Sequence, residues 1–412
     1  MDYITLFDFS LIGLLILVLN KKKPHLNKFS QIILLLGFCF LLWTLLSAFV
    51  ASINILYSYG GLILYVKSFL VFFVIYTHIE STRDFSAVLY ALFAALFFEA
   101  TLGFYQWRFA TTGLNFLHDT HGYYRSVGTF NLPNLYGAYL IMIMPIPLIL
   151  IISKSFKLHW NSFFIWLVSG VSLLALLASY SRSAWIGFIL QIFILIMLLL
   201  LRRKLKYRVL KFAIMIGLIV LPIIAIYGNR MIARFEHAVE SLEQRNVLVD
   251  AAVETIEKNP VFGVGLKNYA RFGYPKWLKR PVNARDPENA FLLIAVESGL
   301  PAVIFFVLIL GITIFKGYKF MKEIDNKYLL LICAAILSAI IGFIVQNQGV
   351  PEFRHFPIQV LFWSELAILA KVKYLDRLVN RGIKIKNYRN TPMPLISQSI
   401  SPMDTIQNEY RK

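Results

Sequence analysis

The chain has 412 residues, of which 58% are hydrophobic and 15% charged, with a formal net charge of +19. Soluble domains carry about 25% charged residues. This composition, with a mean hydropathy of +0.67, excludes a single water-soluble globular domain, and the wealth of apolar residues excludes intrinsic disorder. The two cysteines, Cys39 and Cys333, both lie in long apolar runs, which argues against a disulfide framework and a cysteine zinc site.

A membrane-spanning helix needs about 20 mostly apolar residues. Runs of that kind lie near 4–19, 31–50, 59–77, 86–105, 135–152, 163–179, 184–201, 210–227, 301–316, 328–346 and 356–370. They predict an all-α polytopic membrane helix bundle of about eleven spans. The first run has no basic segment ahead of it and is followed by Lys21, Lys22 and Lys23, so it reads as a span and not as a cleavable signal peptide.

Lysine and arginine orient the spans. Six lie between 202 and 211, four between 316 and 327 and four between 20 and 30, against none between 51 and 58 and one between 180 and 183. The short loops alternate consistently, which puts the N-terminus outside and the C-terminus inside. Four regions follow: N-terminal spans over 1–227, a large outside loop with amphipathic helices over 228–300, C-terminal spans over 301–370 and a basic inside tail over 371–412, expected to be disordered beyond Thr391. The excess positive charge faces anionic lipid. Its scatter over membrane loops argues against nucleic acid as a partner.

Polar chemistry gathers on the outside loops. His118 and His121, between 106 and 134, could exchange protons near neutral pH. Next comes Arg125-Ser-Val-Gly-Thr-Phe-Asn-Leu-Pro-Asn134, either a capped loop or an anion site in which Arg125 and helix N-terminal amides face a phosphate. Ser179-Tyr-Ser-Arg182-Ser-Ala184 is a tight turn. Its arginine either snorkels to headgroups or joins flanking serines as a donor cluster for phosphate oxygens. In the large loop, apolar residues at helical spacing from 231 to 257 predict a helix broken at Gln244-Arg245-Asn246, ended by Asn259-Pro260 and followed by a turn at Gly263-Val264-Gly265. Asp286-Pro287-Glu288-Asn289 predicts a helix with Asp286 at its N-cap, reaching about Ser298. Glu288 then either serves the helix dipole or acts as a general base. Lys67 falls near the centre of the third span, where a charge costs about 2.5–3.5 kcal/mol, so it should face the bundle interior, with Glu99 as a possible partner. No Asp-x-Asp, His-Glu-x-x-His or Walker motif occurs, so neither a metal nor a nucleotide cofactor is expected.

Four of these motifs in this order, "RSVGTFNLPN" at 125–134, "SYSRSA" at 179–184, Arg245 with "NPVFGVG" at 259–265, and "ENAFLLIAVESGLP" at 288–301, followed by Phe362-Trp363, resemble the O-antigen ligase and O-antigen polymerase superfamily of bacterial membrane glycosyltransferases. The resemblance covers about residues 120–370. It implies a multi-pass enzyme of the GT-C type in the bacterial inner membrane, with about twelve spans and a periplasmic active site. Such an enzyme transfers glycan from undecaprenyl pyrophosphate, without a metal, to lipid A–core or to a second glycan repeat, in O-antigen, capsule or exopolysaccharide synthesis. It further implies that arginines hold the donor pyrophosphate, for which Arg125, Arg182, Arg245 and Lys67 are the candidates. Ligases of the family begin the fourth motif with His-Asn, and this chain has Glu288-Asn289; Glu288, Asn289, His118 and His121 are therefore the catalytic candidates, and polymerisation is favoured over ligation. The competing reading, a transporter or flippase for an anionic solute or lipid-linked sugar, would use Lys67, Glu99 and the outside arginines, but few intramembrane charges lie in the inner half to serve access from both sides.

Overall fold

The computed structural model describes residues 6–19, 26–109, 118–120, 123–151, 162–201, 228, 238–273 and 286–389. The described helices are α1 (Leu6–Leu19), α2 (Lys28–Val50), α3 (Ile55–His78), α4 (Thr82–Phe109), α5 (Pro133–Ile143), α6 (Pro145–Leu150), α7 (Ser162–Ala178), α8 (Arg182–Leu200), α9 (Ala238–Lys258), α10 (Ala290–Ser298), α11 (Leu300–Glu323), α12 (Lys327–Gln346) and α13 (Phe356–Arg389). A short antiparallel hairpin, β1 (His118–Thr120) with β2 (Tyr123–Arg125), adds strand that the all-α reading did not contain.

Among the described residues, seven helices are long and apolar enough to cross a membrane: α2, α3, α4, the α5–α6 pair, α8, α11 and α12. Residues 4–19 and 163–179 of the expected set give helices of 14 and 17 residues. The run at 356–370 is the first part of a 34-residue helix, and 210–227 lies outside the described residues, as do His121 and Thr391–Lys412. Leu35, Phe38, Phe193 and Phe315 are all more than half exposed. Such a surface would aggregate in water and is at home against lipid, as expected of a multi-pass membrane protein.

The centre of the bundle is α5–α6, whose spanning window is 94% buried, flanked by α12 at 78%; α2 is only 33% buried. The central helix is interrupted at Met144, before Pro145 and Pro147. Pro145 has no N–H for the carbonyl of Ile141, and in a membrane interior that carbonyl must find another donor. Gln191 of α8 supplies it, Nε2 to Ile141 O at 2.7 Å. The reach depends on close packing of α8 on α12: a Cβ on Gly187 would lie 3.0 Å from Gly342 O.

The loops expected outside do meet at one end of the bundle. Ser126 N–H donates to Ala178 O (2.9 Å) and Ala290 N–H to Asn347 O (2.8 Å), while Asn54 N–H donates to Asn268 Oδ1 (2.9 Å). The loops expected inside meet at the other end, where Asn27 Nδ2 donates to Ala370 O (2.7 Å) and Asp376 accepts Asn326 N–H (2.8 Å).

Two local expectations fail. Helix α9 runs unbroken through Gln244-Arg245-Asn246, because polar residues interrupt the apolar pattern without breaking backbone bonds. Helix α10 begins at Ala290, not at Pro287: Asn289 is its N-cap, accepting Phe291 N–H at 2.9 Å and Leu292 N–H at 3.1 Å. Asp286 is drawn away into an ion pair with Arg354.

Candidate functional site

The turn between α7 and α8 is tight, as expected, and holds Tyr180 at φ +47°. Arg125 stitches it from below. Its Nε donates to Ser179 O (2.9 Å), and its Nη2 to Tyr180 O and Asn134 Oδ1 (both 3.3 Å). The cation thus neutralises the C-terminal carbonyls of α7. The amides beside it are also taken inside the protein: Gln106 Oε1 accepts Val127 N–H (3.1 Å) and Gly128 N–H (2.9 Å), and Glu99 Oε2 accepts Thr129 N–H (3.1 Å). Of the two readings of this segment, these bonds favour a structural loop over an anion site, although α5 starts after Leu132 without a side-chain cap. They also give the Glu99 carboxylate a second donor in Thr129 Oγ1, at 2.7 Å.

Arg182 opens α8, half-buried between Ser181 and Ser183, whose hydroxyls lie 3.3 Å apart. Across from Ser183 stands Gly349, where a Cβ would lie 3.5 Å from Ser183 Cβ and 3.9 Å from Arg245 Nη1. Arg245, on α9, forms an ion pair with Glu288. Glu288 precedes the N-cap, so it lies outside the first turn and its partner is a guanidinium, not the dipole. Asn289, besides capping α10, donates from Nδ2 to Gln348 Oε1 at 2.8 Å. Ser183 beside Arg182, with Arg245, its partner Glu288, and Asn289, therefore converge on the loop 347–355. Lys67 is half-buried in mid-helix on α3, one residue before Ser68, whose hydroxyl donates to Gln359 Oε1 on α13 at 3.1 Å. His118 pairs with Arg125 in the hairpin register.

Sequence reading passed over the loop 347–355 because it holds a single basic residue. Its acid and imidazole are the informative part. Glu352 and Arg354 sit in one 3₁₀ turn, and His355 follows. His355 Nε2 lies 3.6 Å from Glu352 Oε2. Burial, then the nearby Glu288 charge, pushes the Glu352 carboxyl up to about 8. Burial, then the positive charges of Arg354 and Lys267, pushes His355 down to about 4, so its imidazole is neutral at pH 7. Lys267, in the left-handed region at φ +58°, is itself lowered by burial and by Arg354. Beside it, Arg271 donates to Tyr57 Oη at 2.6 Å and stacks over that ring. Charged residues crowding a Pro-containing outside loop, "GVPEFRH" at 349–355, are the signal that could have flagged it.

The fold and this loop-end cluster define a helical multi-pass membrane protein with a charged site where its loops meet. Residues 167–307 match the family described as O-antigen ligase. The matched segment carries Arg182, Arg245, Glu288 and Asn289, and its description agrees with the superfamily that the motifs resemble. No curated protein matches the chain.

Proposed function

We propose that the protein transfers glycan from an undecaprenyl-pyrophosphate-linked donor, on the periplasmic face of the inner membrane, either to a second glycan repeat or to lipid A–core. The observation that carries this reading is that the first turn of α8, which holds Arg182 and reaches Gly349 through Ser183, meets Arg245 of α9 there, within a segment of O-antigen ligase character. When an acceptor hydroxyl attacks the anomeric carbon, the bond to the diphosphate breaks and negative charge grows on the leaving oxygen. Fixed guanidinium groups answer that charge where it develops, with planar donors that keep their proton. Glu288, in the place of the family's histidine, orients Arg245 through their ion pair. The chain's own arginines supply the charge, so no metal is needed in this scheme.

The test is a deletion strain whose surface polysaccharide is profiled on a gel, paired with purified protein given lipid-linked donor. Glycans of a single repeat in the deletion strain identify a polymerase, and free polymer lacking lipid A identifies a ligase. An unchanged profile together with no transfer by the purified protein overturns the reading.

A further inference from the structure

We infer that His355 and Glu352 form the proton route of this site: His355 meets the acceptor hydroxyl, and Glu352 receives the proton. The inference rests on the transferase reading above. Glu352 is 4% exposed, and its Oε2 has no hydrogen-bond donor among the described residues. The His355 imidazole lies 3.6 Å from that oxygen, on a side chain 31% exposed. A buried acceptor facing a partly open imidazole is a route from surface to interior, and catalytic contacts of this length tighten when substrate binds.

The turn that carries the pair is held by three hydrogen bonds. Glu352 N–H donates to Val350 O (3.0 Å), His355 N–H to Glu352 O (3.0 Å) and Phe353 N–H to Asn347 Oδ1 (3.0 Å). Asn347 O in turn holds Ala290, two residues from Glu288. The route is thus built onto the segment that carries the Arg245–Glu288 pair.

The proton balance is simple. As the acceptor oxygen bonds to the anomeric carbon and the diphosphate leaves with its electron pair, the hydroxyl proton passes to His355 Nδ1. The proton on Nε2 moves to Glu352 Oε2. The products are a neutral imidazole, a carboxylic acid and the diphosphate anion. The facing charges suit each end. Arg354 and Lys267 disfavour an imidazolium at His355, so the proton does not rest there. Glu288 and burial raise the proton affinity of Glu352, so it does rest there. Asp286 offsets Arg354 through their ion pair, and Arg245 offsets Glu288.

The experiment measures initial transfer rates of purified wild type, Glu352→Gln, Glu352→Asp and His355→Gln against pH, alongside infrared spectra of the same proteins without substrate. The route needs Glu352 as a carboxylate, so wild-type turnover should rise with pH, be half-maximal near 8 and level off above it. Glu352→Gln and His355→Gln should each lose about 100-fold or more, while Glu352→Asp keeps part of the rate with a displaced inflection. Glu297 also ionises near pH 8, so the infrared carboxylic-acid absorption that fades there should be reduced by the Glu352 share in Glu352→Gln, leaving that of Glu297, and should be undiminished in His355→Gln. A Glu352→Gln protein working at the wild-type rate overturns the proton route alone. A wild type that transfers nothing overturns the proposed function and the catalytic role with it. Identical infrared titrations in wild type and Glu352→Gln remove Glu352 as the proton store.

Discussion

Glu297, at the end of α10, is 4% exposed, and its carboxylate takes a backbone N–H from Lys267. Burial raises it to about 8, against about 4.3 for a free glutamate. The folded state therefore holds a proton that the unfolded chain has already released. The stability gained that way is complete below about pH 4.3 and is lost as pH rises through about 8. The melting temperature in detergent should decline over that window, and Glu297→Gln should decline less steeply; parallel curves would refute the assignment. Arg182 makes a different kind of contribution. It sits in a short turn and is half-buried, so Arg182→Ala should leave folding intact and lower transfer about 100-fold. Arg182→Lys should keep more, because charge survives where the planar fork is lost. Wild-type rates in the alanine variant would take Arg182 out of the site. Serine and glycine neighbours marked Arg125 and Arg182 as candidates in the sequence. Their division of labour was not legible there: Arg125 differs from Arg182 only in what lies beside it after folding, the carbonyls of Ser179 and Tyr180.

At the scale of the element, apolar runs revealed the long helices because lipid and helix geometry both demand them. They could not reveal that α5–α6 breaks at Met144, since the sequence around Pro145 is equally apolar on both sides. Nor did spacing show that Asn289 would displace Asp286 as the cap of α10. That outcome depends on Arg354, 68 positions from Asp286 in the chain, which competes for the aspartate. The bond from Gln191 to Ile141 O makes a measurable claim. Gln191→Leu keeps the volume but leaves a buried carbonyl without its donor, and should destabilise by about 1 kcal/mol. A melting temperature equal to that of the wild type would show that the carbonyl finds another partner. Gly299 is held at φ +82°, where an added Cβ would collide with Val261 O. Gly299→Ala should therefore separate α10 from the 259–265 turn, seen as faster proteolysis within that loop; an unchanged digest would contradict the packing.

Over the whole molecule, the alternation of basic loops divides the connections into two sets, and among the described residues contacts join members of one set at one end and members of the other set at the other. Which end faces outward is open to direct measurement. With Cys39 and Cys333 changed to alanine, Glu257→Cys on the exposed end of α9 should react in intact spheroplasts with a membrane-impermeant thiol reagent. Labelling only after lysis would invert the topology and move the site to the cytoplasm.

The loop that bears Arg245 and Glu288 does not stand on its neighbours in sequence. Trp43 of α2 donates to Ser298 O (3.1 Å) and stacks on Phe262, Ser47 donates to Phe262 O (2.5 Å), and Asn268 binds Ser58 of α3 (2.8 Å). Residues 28–78 lie outside the segment of O-antigen ligase character at 167–307, yet they form the seat on which that segment rests. Swapping the large loop between relatives to change the sugar they accept would graft a key without its lock plate. A working chimera would have to carry α2, α3 and the Ser52–Asn54 bend along with the loop, and natural variation in the loop is expected to move together with variation at Trp43, Ser47 and Ser58.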